Sequence, residues 1–120
     1  MTPDLFVQNL KVATLDSAVD QSIAYILDPP GRRPDRSDQA PADWYQQLSE
    51  GDKQHARRLA QLCAEDVLFG VLCVLDGVRA IESQGPKGEL ELRFRKDGQS
   101  LRLNDPNCEP LHDIFNESGS

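Results

Sequence analysis

A long hydrophobic run is the first thing this 120-residue chain lacks. Its longest fully apolar stretch, Val67 to Leu75, is nine residues interrupted only by Gly70, and Asp76 and Arg79 follow at once. A membrane span needs about 20 apolar residues, so no membrane partner is expected. Basic charge is also scarce. The net charge is −7, with 20 acids against 13 bases. Both halves share the excess, so the acidity is not a tail. Such a field repels phosphate backbones and attracts basic partners, which disfavours nucleic acid. The three cysteines, Cys63, Cys73 and Cys108, have no paired spacing. An odd count, with two of them in an apolar helix, points to a reducing compartment. The opening MTPDLFVQNL has no basic region followed by an apolar run, so it does not read as a secretory signal. A cytoplasmic location is the expectation. GxSxG, P-loop, dinucleotide-fingerprint, HExxH and CxxC patterns are all missing, and no cofactor is expected.

What is present is helical patterning around Leu59 to Ile81. This is the one segment apolar enough to be buried on nearly all sides, as a central helix. Upstream, Thr2-Pro3-Asp4 is a helix start. Val12, Leu15, Val19, Ile23 and Ile26 then keep one helical face, which predicts a helix over about 3–27. Gly70 and Gly77 lie near one face of the central helix and are expected to receive the first helix closely. The segment 28–43 holds four prolines and a glycine, so an irregular connection is predicted. Asp43 caps a short helix over about 43–48. Ser49 caps a long one over about 50–83, with a bend at Gly70 plausible from its length.

Past Gln84-Gly85-Pro86 the period changes. Leu90, Leu92 and Phe94 alternate with charged residues, as do Leu101 and Leu103, and Asp97-Gly98 stands between the two runs. That is a hairpin signal, over about 89–104, pairing Phe94 with Leu101 and Leu92 with Leu103. Glu91, Arg93, Arg95, Arg102 and Asn104 fall on the opposite, solvent face. A short C-terminal helix over about 110–116 returns Leu111, Ile114 and Phe115 to the core. The expected fold is one α+β domain over 1–120, mainly helical, with two long and two short helices and one antiparallel hairpin packed on them.

Candidate chemistry is thin. Glu109-x-x-His112 matches half of a di-iron ligand pair, but such a site needs the motif twice and two further glutamates, so no metal is expected. Cys63 and Cys73 are about 15 Å apart by helical rise and read as core packing. Glu65, Asp66 and Asp76 flank the apolar stretch, and Asp16 and Asp20 lie on the first helix; carboxylates on facing helices are a magnesium-binding pattern. Glu65-Asp66-Val67-Leu68-Phe69 resembles the ExxD-LF helix of the MazG-like all-α nucleotide pyrophosphohydrolases. The ExxE and ExxD motifs of that family do not occur here, and the first helix has no glutamate. Asp76 is expected to pair with Arg79 or with a neighbouring backbone group.

Two stretches are candidate contact surfaces. Asp105, Glu109, Asp113 and Glu117 recur every four residues, and the last three form an acidic stripe where the segment is helical. In the long connection, Arg32, Arg33 and Arg36 alternate with Asp35 and Asp38. Size, acidity and the missing catalytic motifs favour a non-enzymatic protein-binding module. Its specific form is a small acidic cytoplasmic inhibitor, an immunity protein or antitoxin, neutralising a basic toxin enzyme. The alternatives are a magnesium-dependent all-α nucleotide hydrolase and a structural or oligomer-forming accessory protein.

Overall fold

In the computed structural model, which describes residues 1–28 and 36–118, the chain is mainly helical with one two-stranded antiparallel sheet, an α+β fold. The elements run α1 (Pro3–Leu10), a π-helical turn (Lys11–Leu15), α2 (Asp16–Leu27), α3 (Arg36–Gln47), α4 (Glu50–Leu75), β1 (Arg93–Lys96), β2 (Gln99–Arg102) and α5 (Leu111–Ser118). They fall into two compact units. Met1–Ala13 and Asp66–Ser120 make one, and Thr14–Glu65 makes the other.

In the first unit, Thr2 caps α1: its Oγ1 accepts the Leu5 N–H at 3.2 Å, and Pro3 supplies the fixed φ of the first turn. Helix α1 packs on α5. Val7 meets a core that Leu111, Ile114 and Phe115 enter at helical spacing, joined by Leu72, Cys73 and Leu103. The hairpin turns at Asp97 and Gly98, both with positive φ (53° and 77°), the conformation that two-residue turns of this hand require. Its register pairs Phe94 with Leu101 and Arg93 with Arg102, as the alternation predicts. Beyond β2 the Leu103 N–H bonds the Leu92 carbonyl at 2.8 Å.

The long helix stops at Leu75, not near Ser83. Gly77 adopts φ +79°, and the N–H groups of Val78 and Gly77 bond the carbonyls of Cys73 and Val74. These two bonds form a Schellman terminator, which needs glycine's left-handed freedom one residue past the cap. The closing glycine lies where the apolar pattern runs on through Val78 and Ile81. Residues 76–92 are consequently irregular. Gly77 receives no helix: nothing lies within 4 Å of where its Cβ would stand, and Gly70 is covered by the guanidinium of Arg79. Nor is the apolar stretch buried on nearly all sides. Gly70, Leu72 and Cys73 are inside, but Val67 is 67% exposed and Cys63 is also exposed. Asn104, expected on the solvent face of the hairpin, is buried. It lies beyond β2, where the strand alternation no longer governs.

In the second unit, α2 packs on α3. The expected single helix over 3–27 is divided by the π turn, which no glycine or proline marks. Part of the expected 28–43 connection is helical: α3 begins at Arg36, carries Pro41 in its interior and absorbs the expected 43–48 helix. Proline removes one helical hydrogen bond. Here Ala42 is buried, whereas Pro41 itself is exposed at the rim of an open apolar hollow of about 160 Å³ that Ile23, Ile26 and Trp44 also line. Ser49 caps α4 as predicted, its Oγ accepting the Asp52 N–H at 3.1 Å. Among the described residues no helix is long and apolar enough to cross a membrane.

Candidate functional site

Helix α5 carries two different arrangements of acids at its two ends. At its start, the carboxylate of Asp76 reaches across from the end of α4. One oxygen, Oδ2, accepts the backbone N–H of His112 at 2.8 Å and faces the ring Nδ1 at 2.6 Å. A carboxylate only accepts, so Nδ1 carries the proton. Asp76 therefore caps α5 from outside the helix, where its charge also favours the positive end of the dipole. Phe69 closes the ring edge-on, with centroids 5.8 Å apart, and the other ring nitrogen lies 3.4 Å from Asp113. The partner of Asp76 is thus His112 rather than Arg79. Both imidazole nitrogens face carboxylates, an arrangement that anchors a helix.

Along the outside of α5 the acids are crowded. Glu109 shares a hydrogen bond with Glu117, which, together with burial and the charges of Glu117, Asp4 and Asp113, pushes the Glu109 carboxyl above its ordinary range. Two carboxyl groups bond only when one holds a proton. Helix α1 brings Asp4 to this group, a residue the spacing in α5 does not announce. Glu117 stands in the last turn of α5, which has no basic residue and where the dipole disfavours an anion.

Asp105 is not drawn into this cluster. Its Oδ1 accepts the Asn107 N–H at 2.9 Å, closing a local turn, and its charge acts on Arg102. The Arg102 guanidinium is raised above its usual range chiefly by its hydrogen bond to Glu89, with Glu91 and Asp105 adding to it. Arg36 opens α3, and Arg32 and Arg33 lie outside the described residues.

Three of the five carboxylates of the magnesium pattern, Asp20, Glu65 and Asp76, are engaged elsewhere. Asp20 pairs with Arg57, and Glu65 accepts from Gln61 at 3.4 Å and lies 3.9 Å from Arg58. Among the described residues no group of three or more His, Cys, Asp or Glu is placed to hold a metal ion.

Sequence reasoning also missed the polar knot at Asn104. Its Nδ2 donates to the carbonyls of Leu75 (2.6 Å) and Leu90 (2.8 Å), and its Oδ1 accepts the Leu92 N–H (2.9 Å) and Arg102 Nε (3.2 Å). One side chain thereby ties the end of α4, the irregular 76–92 segment and the hairpin. No family of known proteins matches the chain, and no curated protein or solved structure matches it.

Proposed function

We propose that the protein is a non-enzymatic protein-binding module, a small acidic inhibitor of the immunity-protein or antitoxin kind that neutralises a basic toxin enzyme. The observation that carries this reading is the gathering of Asp4, Glu109, Asp113 and Glu117 at one surface, close enough to push the Glu109 carboxyl up. Crowded like charges cost folding stability, and a fold that retains them at its surface has a use for the field they make. A cationic partner relieves the repulsion on binding. The net charge of −7 extends the same field over the molecule, and complementary fields give inhibitors speed and selectivity.

The test is association with the partner, isolated on immobilised protein and identified. The partner should be basic and its activity should fall on binding. Replacing Glu109, Asp113 and Glu117 together by their amides should lower the on-rate and flatten its dependence on salt, because rim charges act mainly through the long-range field. Stopped-flow mixing between about 0.01 M and 0.1 M salt, where the Debye length falls from about 30 to about 10 Å, makes the measurement. An on-rate indifferent to both salt and these substitutions sinks the electrostatic inhibitor.

A further inference from the structure

The irregular 76–92 segment and the chain after β2 border an open cavity of about 470 Å³ in the first unit. Loops of this length without secondary structure are uncommon in compact domains and are usually either functional or linkers, and the volume lies in the range of small-molecule sites. Apolar side chains supply part of the wall: Val74, Ile81 and Leu90, with Ile81 69% exposed and Leu90 42% exposed.

The charges lining the cavity separate into two groups. Its acids are all occupied. Asp76 holds His112, Glu82 accepts the Gly88 N–H at 3.0 Å, Glu89 holds Arg102 at 2.6 Å, and Asp105 holds the Asn107 N–H. Two cations are not. Arg79 and Lys87 line the same cavity, and among the described residues neither side chain has a hydrogen-bond or ion-pair partner. The Arg79 guanidinium rests over the bare backbone of Gly70, which offers it no acceptor. In a chain with more acids than bases, two cations without a partner among the described residues thus meet at one hollow. A guanidinium presents a planar fork of donors that fits a carboxylate or phosphate, and an ammonium adds a mobile point charge.

We propose that this cavity binds a small organic anion, a carboxylate or phosphate group carried on a short apolar body, with Arg79 and Lys87 holding the charge and Ile81 and Leu90 the apolar part. The site is separate from the acidic surface of α5 and does not depend on the inhibitor reading.

Titration of the whole chain with hexanoate, with phenyl phosphate and with inorganic phosphate, followed by amide chemical shifts, tests it. At least one organic probe should shift amides of residues 76–90 saturably and more tightly than inorganic phosphate, which cannot use the apolar wall; which probe binds tighter identifies the anionic group. Arg79→Gln and Lys87→Gln should each weaken binding about tenfold, the worth of one charge-assisted hydrogen bond. Unmoved hairpin amides would exclude unfolding as the cause. Glu82→Gln keeps an acceptor for Gly88 but removes a negative charge, and should tighten binding. The proposal is overturned if neither organic probe saturates, if the shifts lie away from the cavity, if inorganic phosphate binds as well as the organic probes, or if the two cation variants bind like the parent chain.

Discussion

A single carboxylate oxygen of Asp76 serves His112 twice, through the backbone N–H at 2.8 Å and the ring Nδ1 at 2.6 Å. The pair is 36 residues apart in sequence and fixes where α5 begins relative to the end of α4. The Asp76 side chain is only 5% exposed, so water does not replace what a substitution removes. Asp76→Asn keeps an acceptor but loses the charge that strengthens both bonds and complements the helix dipole. It should destabilise the fold by about 1–3 kcal/mol. Asp113→Asn, at a half-exposed carboxylate on the same helix, should stay within about 0.5 kcal/mol. Urea denaturation compares the two, and equal losses would remove the capping role.

Asn104 makes a sharper case. Replacing it with leucine strands the carbonyl of Leu75 and the N–H of Leu92, while the carbonyl of exposed Leu90 keeps its bond from Arg102 at 3.4 Å. Unsatisfied buried polar groups cost about 1–3 kcal/mol each, so a loss of about 2–4 kcal/mol is expected after partial solvation. Hydrogen exchange gives the specific readout: the Leu92 amide should lose protection beyond the global change. An amide no faster than its neighbours would show that Asn104 is not its partner.

The parts of the fold legible in the sequence are those decided locally. Asp97-Gly98 fixes the hairpin turn, and alternation fixes the register that pairs Phe94 with Leu101. Thr2 and Ser49 mark helix starts because their caps lie within three residues. Of the expected acidic stripe, Asp113 and Glu117 stand in α5 at helical spacing, whereas Glu109 precedes the helix. Parts settled by competition between local and distant terms were misread. Gly77 ends α4 although apolar residues continue past it, because backbone bonds outweigh a pattern that solvent-exposed Val78 does not use. Pro41 sits inside α3 next to buried Ala42, against the local rule that a proline ends a helix. Asp4 joining the α5 acids, His112 receiving Asp76, and Asn104 tying three segments all depend on contacts over 12 to more than a hundred residues. No spacing rule encodes those.

The two glycines associated with α4 should respond with opposite signs. Gly77 has φ +79°, where a side chain costs about 1–2 kcal/mol, so Gly77→Ala should destabilise by roughly that amount although its surroundings are open. Gly70 lies within the helix, where alanine is favoured by about 1 kcal/mol. A Cβ there meets only the end of the flexible Arg79 side chain, which can swing aside. Gly70→Ala should therefore be neutral or stabilising. Thermal melts of both variants decide it, and a large loss at Gly70 would show that the Arg79 contact is worth more than helix propensity.

The acidic surface should leave a pH signature of unusual sign. Glu109 is raised above its ordinary range by its hydrogen bond to Glu117, then by burial, then by the charges of Glu117, Asp4 and Asp113. A carboxyl whose pKa is higher in the folded state binds its proton more tightly there. Its stabilising contribution is fully present below the unfolded-state value and is lost as pH rises through the raised value. A carboxylate whose pKa is lowered by an ion pair acts in the opposite sense. Whole-protein acid titration mixes the two, so the difference between chains is the useful quantity. Glu109→Gln supplies a permanent donor to Glu117 and removes one charge from the cluster. Its urea midpoint should exceed that of the parent chain at neutral pH, and the advantage should shrink on acidification through the raised Glu109 value. Added salt at neutral pH should narrow it too, by screening the repulsion in the parent chain. A midpoint difference that stays constant with both pH and salt would mean that the four acids do not interact. The surface would then lose its claim to be a site where a cationic partner relieves strain.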